Sequence, residues 1–392
     1  MQLTEYLKGI ADAIRENTKT TDSIAASDFK NEISALKVRV DTTDANAISE
    51  QILAGATAYV DGQKVEGIIE NYNGSFDGNA EPYVPAGKLK IPNGTKFGYC
   101  TSGEILKSID TSEIQDMSSF FDATKAIELD LTLIDTSNAM DMSYMFYNGQ
   151  KLKTVDFSKW NTSKVESFES FLYQCYALTE VDISAFDMSS AKTVNWMFGR
   201  DRMTKIILPQ NCNLANVEDA SYMFGICNNL VDVNTINLTG GSNCNTVNRM
   251  FFQCYVLPEV NLSNFDLSSV EDAGEMFESC SAITKITFGE KAFSSKLTLM
   301  SEMFYGCSSL VDLDISNFDL SGITDGITRP FTNCSKLSDD SLNSIMAALA
   351  TGTNIKTNRR YLTYLGLTED QANKMTTMSN WPALQALGWT VN

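Results

Sequence analysis

The pair Met-Phe returns along this chain at a nearly fixed interval, and that recurrence limits its fold more than any other feature. Six copies read Met145-Phe146, Met197-Phe198, Met223-Phe224, Met250-Phe251, Met276-Phe277 and Met303-Phe304, and three weaker ones are Phe120-Phe121, Phe171-Leu172 and Pro330-Phe331. Counted from the second residue of each pair (the mark), the steps are 25, 26, 26, 26, 27, 26, 27 and 27 residues. A period in this range belongs to a solenoid, in which each unit buries its apolar face only against its neighbours. Such a chain offers a long surface rather than a closed pocket, so binding is expected before catalysis.

Six residues after the mark stands an aliphatic: Ile127, Leu152, Leu178, Leu230, Leu257, Ile283, Leu310 or Leu337. The register fails only in the Phe198 copy, where Met203 comes one place early. Most copies then carry an apolar-polar-apolar triplet, such as Val155-Asp156-Phe157, Val181-Asp182-Ile183, Val260-Asn261-Leu262, Ile286-Thr287-Phe288 and Leu313-Asp314-Ile315. That alternation predicts one short strand per repeat, stacked in parallel at about 4.8 Å. The Met-Phe stretch is expected to close each coil as a short helical or 3₁₀ turn, with Met, Phe and Leu forming interior columns.

The repeat resembles the leucine-rich repeat of BspA-like surface proteins, also found in mycoplasma lipoproteins. Met303-Phe304-Tyr305-Gly306-Cys307-Ser308-Ser309-Leu310, followed by Leu313-Asp314-Ile315-Ser316-Asn317-Phe318-Asp319, fits its phrase almost completely. The resemblance covers roughly residues 110–390. It implies an α/β repeat solenoid of about nine coils with a parallel sheet, here flanked by a small α+β N-terminal domain and a helical C-terminal cap. It leaves function open, because the same repeat serves adhesins, host-protein binders and viral tail proteins.

Composition narrows the function. Thirty basic against forty-nine acidic residues give a net charge of −19, which makes nucleic acid and anionic membrane poor partners. The chain has no histidine, which removes Ser-His-Asp and Cys-His catalysis and the commonest zinc ligand. Of nine cysteines, Cys175, Cys227, Cys254, Cys280, Cys307 and Cys334 lie three residues after the mark, with Thr124, Gly149 and Asp201 at the equivalent places. No CxxC pair occurs, so these read as core thiols of a chain folded in a reducing compartment, with no metal and no cofactor. Neither an export signal nor a membrane span is expected from the hydropathy pattern.

Domains are expected at residues 1–70 (helices and a hairpin that attach the chain to a larger assembly), 71–98 (a linker rich in Gly, Asn and Pro), 99–336 (the solenoid) and 337–392 (the cap). Helices are predicted for residues 3–17, from about 28 to 36, and for 44–54. Asp61-Gly62, between Ala58-Tyr59-Val60 and Gln63-Lys64-Val65, predicts a two-residue hairpin turn. The cap should open with a helix over 338–350, with Leu342, Ile345, Met346 and Leu349 on one face. Shorter helical pieces are expected at 361–365 and 368–375.

The leader, with Ile10-Ala11-Asp12-Ala13-Ile14-Arg15, Thr20-Thr21-Asp22-Ser23-Ile24 and Asp28-Phe29, resembles the start of tail and baseplate proteins of phages of Gram-positive bacteria. Ala56 to Gly67 looks like the "Ala-Tyr-x-x-Gly-x-Lys-x-x-Gly" module of the same proteins. The resemblance implies a virion protein assembled in the host cytoplasm and released by lysis, docked to other tail proteins through residues 1–70. A homo-oligomer, as in trimeric tail proteins, fits that setting, although no heptad run demands it.

The outward residue of each strand is Asp130, Asp156, Asp182, Ile207, Asn234, Asn261, Thr287 or Asp314. Stacked aspartates about 5 Å apart repel unless they are solvated or bridged. The polar members of this row are therefore the candidate ligand-binding residues: Asp130, Asp156, Asp182, Asn234, Asn261, Thr287 and Asp314. Their partner would be a host cell-surface glycan or protein. A solvated face is the simpler alternative, and a repeated ladder lacks the unequal environments that acid-base catalysis needs. A virion receptor-binding protein is the expected function, with a bacterial BspA-like adhesin or host-protein binder as the alternative and no enzyme activity expected.

Overall fold

The computed structural model describes residues 109–392, Leu106, and the backbone of three short strands at Thr57–Val60, Gln63–Glu66 and Leu89–Lys90. The helices expected within residues 1–54 lie outside the described residues. The chain divides into two compact units, Met1–Tyr83 and Val84–Asn392. In the first, Thr57–Val60 pairs antiparallel with Gln63–Glu66, the pairing expected of a hairpin there. In the second, Leu89–Lys90, inside the stretch read as a linker, pairs in parallel with Ile109–Asp110.

The solenoid has short parallel strands with the expected alternation. Glu180–Asp182, Lys205–Ile207 and Asp232–Val233 form one sheet, and Glu259–Leu262, Lys285–Phe288 and Asp312–Leu313 another. Val181, Ile206, Val233, Val260, Ile286 and Leu313 point inward and are buried. The expected single sheet through nine coils is broken, however. At Val155-Asp156-Phe157 only an isolated bridge, Glu128 to Thr154, joins neighbouring coils. At Asp156, Asp182, Asn261 and Asp314 the side chain takes back a backbone N–H two residues on, which turns the chain out of the strand direction.

Continuity comes from the Met-Phe side. This stretch is a run of hydrogen-bonded turns, not the helical or 3₁₀ turn expected, and 3₁₀ segments lie elsewhere, at Leu131–Leu133, Thr235–Asn237 and Leu320–Gly322. Alternate peptide units of the run stand along the solenoid axis. Each accepts from the coil before through its carbonyl and donates to the coil after through its N–H. One resulting chain runs Ser119 N to Ser143 O, Tyr144 N to Glu169 O, Ser170 N to Asn195 O, and so on to Glu302 N and Thr328 O. A second passes through the marks, from Phe121 N to Met145 O as far as Phe331 N and Leu365 O. Four such amide chains cross the nine turns, starting at the N–H groups of Met117, Ser119, Phe121 and Ala123.

Holding alternate peptides in line requires left-handed residues at regular places. Positive φ occurs two residues before and two after every mark, in seventeen non-glycine residues from Ser119 (55°) to Asn333 (67°), and in Gly306 (78°). This conformation is unfavourable for L-residues. Its recurrence in register means that the amide ladder holds what local preference does not. Gly306 is the one glycine in the set, and a Cβ there would lie 3.2 Å from Ser279 Cα. Gly306→Ala should cost about 1 kcal/mol by adding one more strained side chain. The urea midpoint would fall with an unchanged m-value, and an unmoved midpoint would show that the ladder imposes no strain there.

Inside, the mark phenylalanines stack coil on coil, with centroids 5.6, 5.2, 5.3, 5.8 and 5.7 Å apart from Phe198 to Phe331. Where Leu172 interrupts the column, Phe157, Trp160, Phe168, Phe171 and Phe186 fill the interior. The aliphatic column holds with one correction. Ile127 is 52% exposed and Ala126, one place earlier, is buried in its stead. The Phe121 coil therefore shares the early register of Met203, and the shortest step, 25 residues, follows it.

The cysteine column is buried, and all eight cysteines among the described residues are free thiols. Each member does more than fill space. Cys175, Cys227, Cys254, Cys280, Cys307 and Cys334 donate from Sγ, at 2.9–3.2 Å, to the mark carbonyl of the preceding coil. Burial pushes the thiols of Cys280 and Cys334 up to about 12, so they stay protonated. Asp201 occupies the same place between Cys175 and Cys227. It is 1% exposed, and neither of its side-chain oxygens has a hydrogen-bond partner. Burial drives its pKa far above the usual carboxylate range.

The C-terminal end covers the last coil. Helix α1 (Asp339–Thr351), capped by Ser338, buries Leu342, Ile345, Met346 and Leu349 as expected. Its hydroxyls accept the strand-side N–H groups that have no further coil to meet: Leu313 on Ser341, Ile315 on Ser344 and Leu320 on Thr351. Helix α2 (Glu369–Met375) begins in a capping box between Thr368 and Gln371, and Gln371 also donates to the Cys334 carbonyl. The segment 361–365 is not helical as expected. It is a further turn whose Leu365 carbonyl ends an amide chain. Helix α3 (Trp381–Ala386) and fully buried Trp389 complete the cap.

Candidate ligand-binding faces

The row of residues expected to bind ligand is in register: Asp182 pairs with Ile207, and Asn261 with Thr287. Asp130, Asp156, Asp182, Asn234 and Asp314 are exposed, while Asn261 and Thr287 are half-buried. Five of the seven are already engaged. Asp130, Asp156, Asp182, Asn261 and Asp314 accept from the N–H two residues on, at 3.3, 2.9, 2.8, 3.0 and 2.9 Å. The bond from Ser158 holds the Asp156 carboxyl below its ordinary range. These are Asx turns, the device that bends a chain sharply after a short strand. Turn formation accounts for those five positions without a ligand; Asn234 makes no such side-chain bond, and Thr287 lies within its strand.

The opposite signal sits on the turn stretch and was not read from the sequence. Residues two before and one after the mark carry rings in consecutive coils, and these touch in a continuous row. Tyr144 meets Tyr147 at 5.6 Å, Tyr147 stacks on Tyr173 at 5.0 Å, and Tyr173 meets Trp196 edge-on at 5.3 Å. Trp196 then stacks on Tyr222 at 3.8 Å, and Tyr222 meets Phe252 at 6.1 Å. The rings are half-exposed. Gly199 and Gly225 stand where other coils have a ring, and a Cβ there would strike the Trp196 and Tyr222 rings at 2.2 and 2.6 Å. The glycines thus give the two rings room to lie flat across their own turns.

Arginines gather on the same row. Arg200, Arg202, Arg249 and Arg329 are all the arginines of the solenoid between residues 109 and 336. Arg200 reaches the Tyr173 hydroxyl, Arg202 lies 5.4 Å over Tyr176, Arg249 lies 5.5 Å over both Tyr222 and Phe252, and Arg329 lies 5.9 Å over Tyr305. Arg249 and Arg329 are neutralised by Glu275 and Glu302. Among the described residues, neither Arg200 nor Arg202 has a carboxylate within ion-pair distance. Four solenoid lysines, Lys192, Lys205, Lys285 and Lys291, are paired with Glu166, Asp232, Asp312 and Asp266 instead.

Further along the turns, Glu275, Glu278 and Glu302 bring three carboxylate oxygens within 4.8 Å of one another, the one group among the described residues able to offer three ligands to a cation. Burial, together with the neighbouring Glu275, raises Glu278 to about 7. Arg249 and Arg329 already balance two of the three charges. No helix among the described residues is long and apolar enough to cross a membrane.

Comparison with known families agrees with this architecture. Residues 95–208 and 203–288 match the family described as "Mycoplasma protein of unknown function, DUF285", and residues 246–356 match the "BspA type Leucine rich repeat region (6 copies)". No curated protein and no solved structure matches the chain.

Proposed function

We propose that this BspA-like leucine-rich-repeat protein is a binding scaffold without catalytic activity, and that it presents the turn side of its solenoid to a cell-surface ligand. The observation that carries the reading is the unbroken row of half-exposed rings from Tyr144 to Phe252, set with arginines on a chain of net charge −19. Aromatic and arginine side chains are the residue types that dominate binding energy at recognition surfaces, and a repeated row suits many weak contacts acting together.

The scaffold is carried, on this reading, by a phage tail or baseplate, with residues 1–70 docking it to other virion proteins and the solenoid facing the host. The leader motifs and the hairpin at residues 57–66 support that placement. A bacterial surface adhesin is the second reading, favoured by the BspA-type repeat itself. Deleting residues 1–70 at the natural locus separates the two. The truncated chain should be missing from sedimented particles that contain the full-length protein, while its solenoid melts at an unchanged temperature. Full-length protein found on the cell envelope and absent from particles would overturn the virion placement and favour the adhesin.

A further inference from the structure

We propose that the patch formed by Tyr147, Tyr173, Tyr176, Trp196, Arg200 and Arg202 is a subsite for an anionic glycan, a sugar polymer bearing carboxylate or phosphate groups. The proposal rests on the binding reading above and names the chemistry of its ligand. Three features converge on it.

First, Arg200 and Arg202 are exposed and lack carboxylate partners among the described residues, whereas the other two solenoid arginines are paired. The acid between them, Asp201, points into the core and is kept neutral by burial, so it does not quench them. An exposed, unneutralised pair of guanidinium forks on an acidic protein suits planar, bidentate anions such as carboxylate and phosphate. Second, Arg200 reaches the Tyr173 hydroxyl at 3.5 Å, Tyr147 stacks on Tyr173, and Arg202 lies over Tyr176. The rings flank the two guanidinium groups and add hydroxyls and apolar edges, the amphipathic surface that a sugar ring with its hydroxyls and C–H faces requires. Third, Asn148, Gln174 and Asn195 adjoin Tyr147, Tyr173 and Trp196 in the chain and are half-buried in the same turns, so amide groups are available beside the rings. A single-stranded nucleic acid would also stack on rings. Two free arginines cannot offset the repulsion of its phosphates by a chain of charge −19.

The test is biolayer interferometry of the full chain on five immobilised probes: hyaluronan (carboxylate), phosphomannan (phosphate), unphosphorylated mannan, polyglutamate and oligothymidylate. Binding to hyaluronan or phosphomannan, whichever anion is preferred, and weak or no binding to the other three is the expected result. Arg200→Ala should weaken it about tenfold, Arg202→Ala similarly, and the lysine versions of both should fail to restore it. Lys285→Ala with Lys291→Ala is the control and should leave binding unchanged. Equal binding to polyglutamate would reduce the patch to a charge effect, and preference for oligothymidylate would make it a nucleic-acid surface. Loss of neither affinity in the arginine variants, or no binding to either anionic glycan, overturns the proposal. Host-cell binding by the same proteins tells the two readings apart. If the wild type binds cells and the arginine variants bind equally well, the scaffold role stands and the glycan subsite falls. If the wild type binds no cells, the scaffold role itself fails.

Discussion

Replacing Phe251 by alanine will cost the solenoid about 3–5 kcal/mol, the range for removing a fully buried phenylalanine from a core that relaxes only partly. Phe251 is 0% exposed and lies parallel to Phe224 at 5.2 Å and to Phe277 at 5.3 Å, so its loss removes two stacked contacts and leaves a gap in the column. A solenoid is coupled only through nearest neighbours, so the effect should extend beyond a lower midpoint. The coils on either side lose their link and should unfold in separable steps, giving two urea transitions by tryptophan fluorescence, since Trp160 and Trp196 lie before the gap and Trp381 and Trp389 after it. Phe251→Leu should be milder, because leucine keeps most of the buried apolar volume that alanine removes. An alanine variant that loses less than about 1 kcal/mol would show that the column does not hold the coils together.

Asp201→Cys should go the other way and stabilise the protein by about 1–3 kcal/mol, the cost of a buried polar group left without a partner. The substitution completes the thiol column between Cys175 and Cys227, whose sulfurs donate to the Phe146 and Phe198 carbonyls. By the same geometry a thiol at 201 is aimed at the carbonyl of Leu172. The gain should depend on pH, with a definite sign. Folding raises the pKa of Asp201 far above its ordinary 3.8, so the folded chain keeps a proton that the unfolded chain releases. Stability contributed by such a group falls as pH rises above the unfolded value, and the advantage of cysteine therefore grows from pH 4 upward. Urea midpoints of the two proteins at pH 4 and pH 7 measure this, and a cysteine variant that is less stable at both would mean that Asp201 has a partner after all.

The period of the Met-Phe marks made the interior legible from the sequence. Burial at a fixed offset leaves the same residue type in every copy, and Leu152, Leu178, Leu230 and their successors are buried where the spacing puts them. Ile127 misled because it is as apolar as its counterparts; only the 25-residue step hints that the coil closes one residue early. The turn stretch was illegible for a different reason. Left-handed backbone is usually signalled by glycine or asparagine, yet Tyr144, Trp196, Ile226 and Glu302 adopt it because neighbouring coils fix the direction of each peptide. A constraint imposed from outside the segment leaves no local trace. The candidate site suffered likewise. Asp156 and Asp182 stood out as a repeated acid, though their repetition is explained by a turn that each coil must make. The ring row is assembled from two alternating places, so no single column of the sequence is aromatic throughout.

The four amide chains give the molecule an electrical polarity that its net charge does not describe. In an ordinary sheet neighbouring peptide dipoles largely cancel, whereas here the units in the chains are aligned as they are in an α-helix but with the opposite sense, every N–H pointing toward the C-terminal cap. Dipoles aligned over eight or more successive bonds add, leaving partial positive charge where Phe331 meets the cap and partial negative charge at the first turn. A charged molecule approaching this solenoid therefore meets two unlike ends, and a string of such proteins laid head to tail would gain at each junction what an antiparallel pair would lose.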